Sequence, residues 1–109
     1  MPWLVVGDHV LASAEIAEGH RGRAKGLLGR DGVEGAFVLP RVRWIHTVGM
    51  QFSIDVAYLD RDGNVLKAVR MAPHRVGVPV VRARMVIEAE AGAFSRWGLN
   101  VGDCVEIKA

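Results

Sequence analysis

The chain has 109 residues, a formal net charge of +2 and a hydrophobic content of 50%. This length suits one domain, residues 1–109, which buries about two-thirds of its surface, and the composition is ordinary for a globular protein. The single cysteine, Cys104, excludes an intrachain disulfide and a cysteine metal site. The first residues carry no basic segment and only a four-residue apolar run, so we expect no signal peptide, no membrane span and a cytoplasmic location.

The N-terminal part of the chain predicts a hairpin followed by a helix. Residues 3–6 form a short apolar strand, and residues 9–16 return in rough alternation after the Gly7-Asp8 turn. The best helical pattern spans residues 18–28, where apolar side chains recur at spacings of three and four. Glycines within it weaken the helix, and Gly29 follows as a C-cap.

The rest of the chain predicts short strands joined by turns. Residues 60–63 form a hairpin turn, and residues 92–97 suit a single helical turn. The alternation of strands and helices that a parallel βαβ sheet requires is missing. We therefore predict a mainly β (β-rich α+β) fold, a small sandwich or part-open barrel of antiparallel strands with one or two short helices. The remaining strands are expected at residues 35–39, 44–46, 52–59, 64–71, 80–90 and 104–108.

Two acidic residues interrupt apolar strands and need partners. Asp55 lies between Ile54 and Val56, and Glu88 lies in a similar apolar run. An unpaired charge in such a position costs several kcal/mol. Because Arg30 closes the predicted helix, we expect its guanidinium to lie within salt-bridge distance of at least one of the two acids.

An acidic run after the central strand resembles the start of a calcium loop. Asp60, Asp62 and Asn64 alternate oxygen ligands, but such a loop would need glycine at Val65 and an acid at Met71. We interpret the run as a hairpin turn.

The histidines and the central serine do not form a recognisable catalytic or metal motif. No other histidine has metal-ligand spacing to His46, and Met50 alone is weak evidence for copper. Ser53 precedes Asp55 by two residues, so both point to the same face of one strand, and no nucleophile elbow surrounds the serine. We predict no metal, no cofactor and no assigned catalytic residue.

Six ordered blocks of sequence carry a resemblance to a protein family. They are residues 23–30 (RAKGLLGR), 46–50 (HTVGM), 54–56 (IDV), 59–65 (LDRDGNV), 87–92 (IEAEAG) and 98–103 (GLNVGD). Over about residues 11–107 the chain resembles domain-of-unknown-function family 192. The resemblance implies a compact, β-rich single domain with a short helix, widespread in bacteria and archaea, and no established activity. Many relatives have tryptophan where His46 falls, which argues for a variable pocket wall and against an invariant catalytic histidine.

We predict a non-enzymatic module that binds a small anionic or polyhydroxylated ligand beside the central strand. Arg30 would supply a planar guanidinium in a fixed orientation, and His46 and Thr47 would supply adjustable hydrogen bonds. Met50 would form an apolar lip, and Asp55 would orient Arg30 or a donor of the ligand.

Two alternatives remain open at this stage. A hydrolase or lyase would use His46 as base with Asp55 as its orienting group, and needs the two side chains within hydrogen-bond reach. A nucleic-acid or protein adaptor would need one continuous basic face. The small net charge and the lack of a recognised module argue against nucleic acid, and we expect no membrane partner. The residues of that basic face would be Arg21, Arg23, Lys25, Arg41 and Arg43.

Overall fold

The structure, a computed structural model, describes residues 1–19, 27 and 29–109. Within these residues the chain forms seven strands and one short helix. The helix predicted at residues 18–28 falls almost entirely outside those residues. The strands are β1 (Trp3–Val6), β2 (His9–Ile16), β3 (Ala36–Pro40), β4 (Ile54–Leu59), β5 (Val65–Met71), β6 (Met85–Glu90) and β7 (Val105–Lys108). The helix α1 (Ala93–Trp97) lies between β6 and β7. Within the described residues, no helix has the length and apolar character to cross a membrane.

The strands form one sheet in the order β5-β4-β6-β3-β2-β1-β7. Neighbours pair antiparallel except β2 and β3, which are parallel. The two end strands meet at one corner, where Asn64 bridges Cys104 and the Val105 amide donates to the Gly63 carbonyl at 2.8 Å. The sheet therefore curls into a part-open barrel. The mainly β fold class is confirmed, with one parallel pair that the sequence did not predict.

The β4–β5 hairpin follows from its turn residues. The Asp60 carboxylate accepts hydrogen bonds from the Asp62 and Asn64 amides, both at 2.9 Å, and these bonds, first of all the one from Asn64, lower the pKa of Asp60. Gly63 has φ 90°, and a Cβ there would lie 2.3 Å from the Val105 carbonyl oxygen, so only glycine fits. The predicted hairpin turn is confirmed.

Both faces of the sheet are covered by apolar side chains. Along β4 every residue is buried, and alternate residues contribute to two different clusters. Ala57 and Leu59 belong to the cluster that contains Phe94 of α1, whereas Val56 and Tyr58 belong to the cluster on the other face. The central strand thus carries the core on both sides, which explains its continuous apolar sequence.

Two predicted strands are shorter than the sequence suggested. The strand expected at residues 80–90 begins at Met85, because the chain turns before it with the Ala83 amide donating to the Val80 carbonyl at 3.0 Å. The strand expected at residues 44–46 is a single bridge between His46 and Val76. Residues 44–46 instead belong to a loop that pairs with the segment around Val76.

Candidate functional site

Two loop segments, residues 43–50 and 72–80, pair with each other on one side of the sheet, and we call this pair the loop ribbon. The Thr47 amide donates to the Arg75 carbonyl at 2.8 Å, and the Gly77 amide donates to the Ile45 carbonyl at 3.1 Å. Ile45 and Thr47 are buried, whereas His46 and Val76, opposite each other between them, are exposed. The ribbon therefore has an inner face against the core and an outer face toward solvent.

Thr47, a predicted ligand-binding residue, joins the two segments of the loop ribbon by hydrogen bonds on its inner face. Its hydroxyl donates to the Ala72 carbonyl at 2.6 Å and accepts from the Arg75 amide at 2.9 Å, and the residue is fully buried. Met50, the predicted apolar lip, is also buried and packs in the core cluster with Ile54. The structure thus places both side chains behind the surface, where they position the loops.

Two exposed histidines flank the turn of the ribbon. Nδ1 of His46 accepts from the Val48 amide, and Nδ1 of His74 accepts from the Gly49 amide, each at 3.2 Å. An accepting Nδ1 carries no proton, so the neutral rings hold their proton on Nε2. That arrangement suits outward donors and opposes metal coordination through Nε2. Among the described residues, no group of three His, Cys, Asp or Glu could hold a metal ion.

Asp55 is buried and receives three hydrogen bonds. Its Oδ2 accepts from the Gly92 and Phe94 amides at 3.0 and 3.1 Å, and its Oδ1 accepts from Arg70 Nε at 3.2 Å. Gly92, the N-cap of α1, has no side chain, so the carboxylate from β4 satisfies the first amides of the helix. The predicted need for a partner is correct, and Arg70 is the charged partner.

The predicted pairing of Arg30 with Asp55 or Glu88 is wrong. Arg30 forms two hydrogen bonds with Glu15 at 3.1 and 2.8 Å, and its guanidinium carbon lies 4.8 Å from the centre of the Phe37 ring. Strand register explains this, because Glu15 stands beside Phe37 in the β2–β3 pair, whereas Arg70 stands opposite Asp55 in the β4–β5 pair. The Glu15 bond raises the pKa of Arg30, and the same bond lowers the pKa of Glu15.

Glu88 is a buried acid of a different kind. It lies between Phe37 of β3 and Val56 of β4, and it is 3% exposed. Its Oε1 has no hydrogen-bond partner among the residues that the structure describes. Burial raises the pKa of Glu88 to about 7. The pKa of Tyr58 is also raised, mainly by burial of its phenol and secondly by the charge of Glu88.

A cleft of about 380 Å³ separates β5 from the loop ribbon, and we call it the β5 cleft. Its lining includes three basic residues, and no acidic residue occurs among the described residues that line it. Asp55 holds the Arg70 side chain on the opposite face of the sheet, beside α1. The lining residues are Tyr58, Lys67, Val69, Arg70, Met71, Ala72, Arg75, Val76, Gly77 and Val78.

Sequence reasoning missed the three cations of the β5 cleft, Lys67, Arg70 and Arg75. The predicted hairpin at residues 60–63 brings the two strands together, but the register shift between Tyr58 and Leu59 decides that Arg70 and not Val69 stands opposite Asp55. No local signal existed for Arg75, since its position depends on the pairing of distant loops. His46 stands opposite Val76 in the loop ribbon and is not among the described residues that line the cleft.

The enzyme alternative finds no support in this geometry, and the adaptor alternative stays a prediction. Within the described part of the chain no hydrogen bond joins His46 to Asp55: the His46 Nδ1 accepts from Val48, and the Asp55 oxygens accept from β5 and α1. The orienting contact of a hydrolase or lyase is therefore missing there. For the adaptor, residues 21–25 lie outside the described residues, and Arg41 and Arg43 are exposed.

Comparison with other proteins gives the family of the chain. A UPF0127 protein of Pyrococcus abyssi is 37% identical over 97 residues, which cover 84% of this chain and 83% of that protein. A protein of unknown function from Novosphingobium aromaticivorans has a similar structure, with a TM-score of 0.80, 24% identity, and coverage of 96% of this chain and 83% of that one. A Sinorhizobium meliloti protein provisionally named a transcription regulator also has a TM-score of 0.80, at 19% identity and 97% and 91% coverage.

Structural likeness at these identities shows a shared fold alone. The family model DUF192, described as "Uncharacterized ACR", matches residues 4–107. The match spans nearly the whole chain and agrees with the resemblance found in its sequence blocks. The chain therefore belongs to the DUF192 family.

Proposed function

We propose that this protein is a non-enzymatic binding module whose β5 cleft holds an anionic ligand with an apolar portion. The observation that carries the proposal is the lining of the cleft, which combines Lys67 and Arg75 with valine side chains and contains no described acid. A volume of about 380 Å³ lies within the range of small-ligand sites.

The cations differ in how firmly they are held. Asp55 binds Nε of Arg70 on the face of the sheet that α1 covers, opposite the face of Lys67 and Val69, so Arg70 adjoins the cleft through its place on the edge strand. Within the described residues, neither Lys67 nor Arg75 forms a salt bridge. Two cations without a described counterion favour an anion as the occupant of the cleft.

The wall of the cleft is preorganised. The backbone of Arg75 is held on both sides by Thr47, through the hydroxyl and through the amide, so the wall does not need to be ordered by a ligand. His46 stands opposite Val76 and carries an outward Nε2–H in its neutral form, which can donate to an anionic or hydroxyl oxygen at the rim. Thr47 and Asp55 thus act on the ligand through the residues that they position.

Calorimetric titration with short-chain carboxylates and phosphate monoesters tests this function. We expect saturable binding, weakened about 10-fold or more in Lys67→Ala and in Arg75→Ala, because a hydrogen bond to a charged group contributes about 1.5–3 kcal/mol. Lys108→Ala is the matched control, since Lys108 is exposed on β7 outside the cleft. Loss of affinity in the control equal to that in Lys67→Ala, or no saturable binding of any anion, would contradict the proposal.

A further inference from the structure

The β5 cleft runs along the edge of a strand. Val69, Arg70 and Met71 are consecutive in β5, and all three line the cleft. Successive side chains of a strand point to opposite faces of its sheet. A cleft that touches all three must therefore include the edge of β5 itself, where the backbone is accessible from the side.

That edge is open along most of its length. β5 ends the strand order, and its only described contacts on the outer side are at its start, where Val65 exchanges backbone hydrogen bonds with Gly102 and Asp103. Residues 67–71 pair with β4 and with no other described backbone. Five residues of strand span about 16 Å. Alternate amides and carbonyls over that length lack a partner and form a template for another strand.

From this we infer that the β5 cleft binds an extended acidic peptide, which adds to β5 as a further strand of the sheet. The inference rests on the proposed anion-binding function and names the class of its ligand. The backbone of the peptide would pair with residues 67–71. Its acidic side chains, all on one face, would meet Lys67 and Arg75, and its alternate apolar side chains would lie on the other face, on the side of Ala68.

The charge of the edge favours such a peptide over a second copy of this chain. If two β5 edges paired with each other, Lys67 and Arg70 of both copies would be brought close together. Like charges on paired edge strands oppose association, which is a common protection of natural sheets. An acidic strand reverses the sign of that interaction, so the same cations that block self-pairing select the partner.

Fluorescence anisotropy with the full chain tests the inference, using a labelled eight-residue peptide of alternating valine and glutamate. We expect saturable binding, weakened at least 10-fold when alternate peptide amides are N-methylated and abolished when lysine replaces each glutamate. The charge-reversed variants Lys67→Glu and Arg75→Glu should lose binding, whereas the control Lys108→Glu should retain it. Hydrogen exchange should slow at residues 67–71 on binding, and remain unchanged at residues 105–108 of β7, the other end strand.

The outcomes separate this inference from the function on which it rests. Equal affinity for the methylated and unmethylated peptides would overturn strand addition, because side chains alone would then hold the ligand. Binding of small carboxylates without binding of the peptide would also overturn it and leave the anion site intact. Failure of every anion, small or peptidic, would overturn the proposed function itself.

Discussion

Asp55 and Glu88 are two buried carboxylates on adjacent strands, and they point to opposite faces of the sheet. Asp55 receives two helix amides and Arg70, whereas Glu88 has an oxygen without a described partner. Both acids lie within an apolar strand, yet both oxygens of Asp55 accept hydrogen bonds whereas Oε1 of Glu88 has no described partner. What decides between them is the element packed against each face, because a helix terminus supplies free amides and an apolar surface supplies none.

Removing the satisfied acid should have the largest effect. We expect Asp55→Ala to lower the free energy of unfolding by about 4 kcal/mol, because each of the two orphaned amides costs about 1–3 kcal/mol and Arg70 loses its counterion. Urea denaturation measures the change. Glu106→Ala, an exposed carboxylate on β7, is the control and should stay within about 0.5 kcal/mol of wild type. If Asp55→Ala also stayed within about 0.5 kcal/mol of wild type, the hydrogen bonds of Asp55 would not hold α1 to the sheet.

The unsatisfied acid should produce a pH dependence of stability with the opposite sign to that of a salt-bridged carboxylate. The pKa of Glu88 is about 7 in the folded protein and near 4.5 when unfolded. Between those values the folded state keeps a proton that the unfolded state has released, so stability is full below pH 4.5 and falls as pH rises through 7. The loss amounts to about 3.5 kcal/mol at about 1.4 kcal/mol per pH unit.

Glu88→Gln isolates that contribution, because the amide has the same shape and does not ionise. The variant should lack the decline between pH 4.5 and 7, and near pH 8 it should be more stable than wild type. Unfolding curves collected across this range measure both effects. An identical pH profile for the two proteins would mean that the pKa of Glu88 does not change on unfolding.

The third acid–base contact, between Arg30 and Glu15, should have the smallest effect. Both side chains are exposed, at 38% and 56%, so solvent screens the pair. Arg30→Ala should cost about 1 kcal/mol or less, including its contact with the Phe37 ring. Arg96→Ala, which removes a similarly exposed bond to Glu90, is the matched control. A loss near 3–5 kcal/mol for Arg30→Ala would indicate a buried pair, as the sequence had suggested.

The sequence predicted what depends on local pattern. The two hairpins, the turn after Asp60 and the apolar central strand follow from turn residues and alternation, and all appear in the structure. The burial of Asp55 and Glu88 was also predicted from their neighbours. Their partners were not, because Arg30 was chosen for its place in the predicted helix, whereas strand register brings Arg70 to Asp55.

The candidate site was harder to predict because its wall is built from distant segments. The pairing of residues 43–50 with 72–80 depends on a buried hydroxyl at Thr47, and no local pattern specifies that contact. His46 and Thr47 were predicted as direct ligands, and the structure places His46 on the outer face of the loop ribbon and buries Thr47 behind it. Their contribution to binding stays a prediction.

The central claim is that ligand binding occurs at the β5 edge, and a residue-resolved titration tests it most directly. Amide chemical shifts of the ¹⁵N-labelled chain would be followed as the alternating valine–glutamate peptide is added. We predict saturable shifts at residues 67–71 and 75–78 and none along β7. Shifts centred on Arg30 and Phe37, or on β7, or no shifts at saturating peptide, would contradict the account.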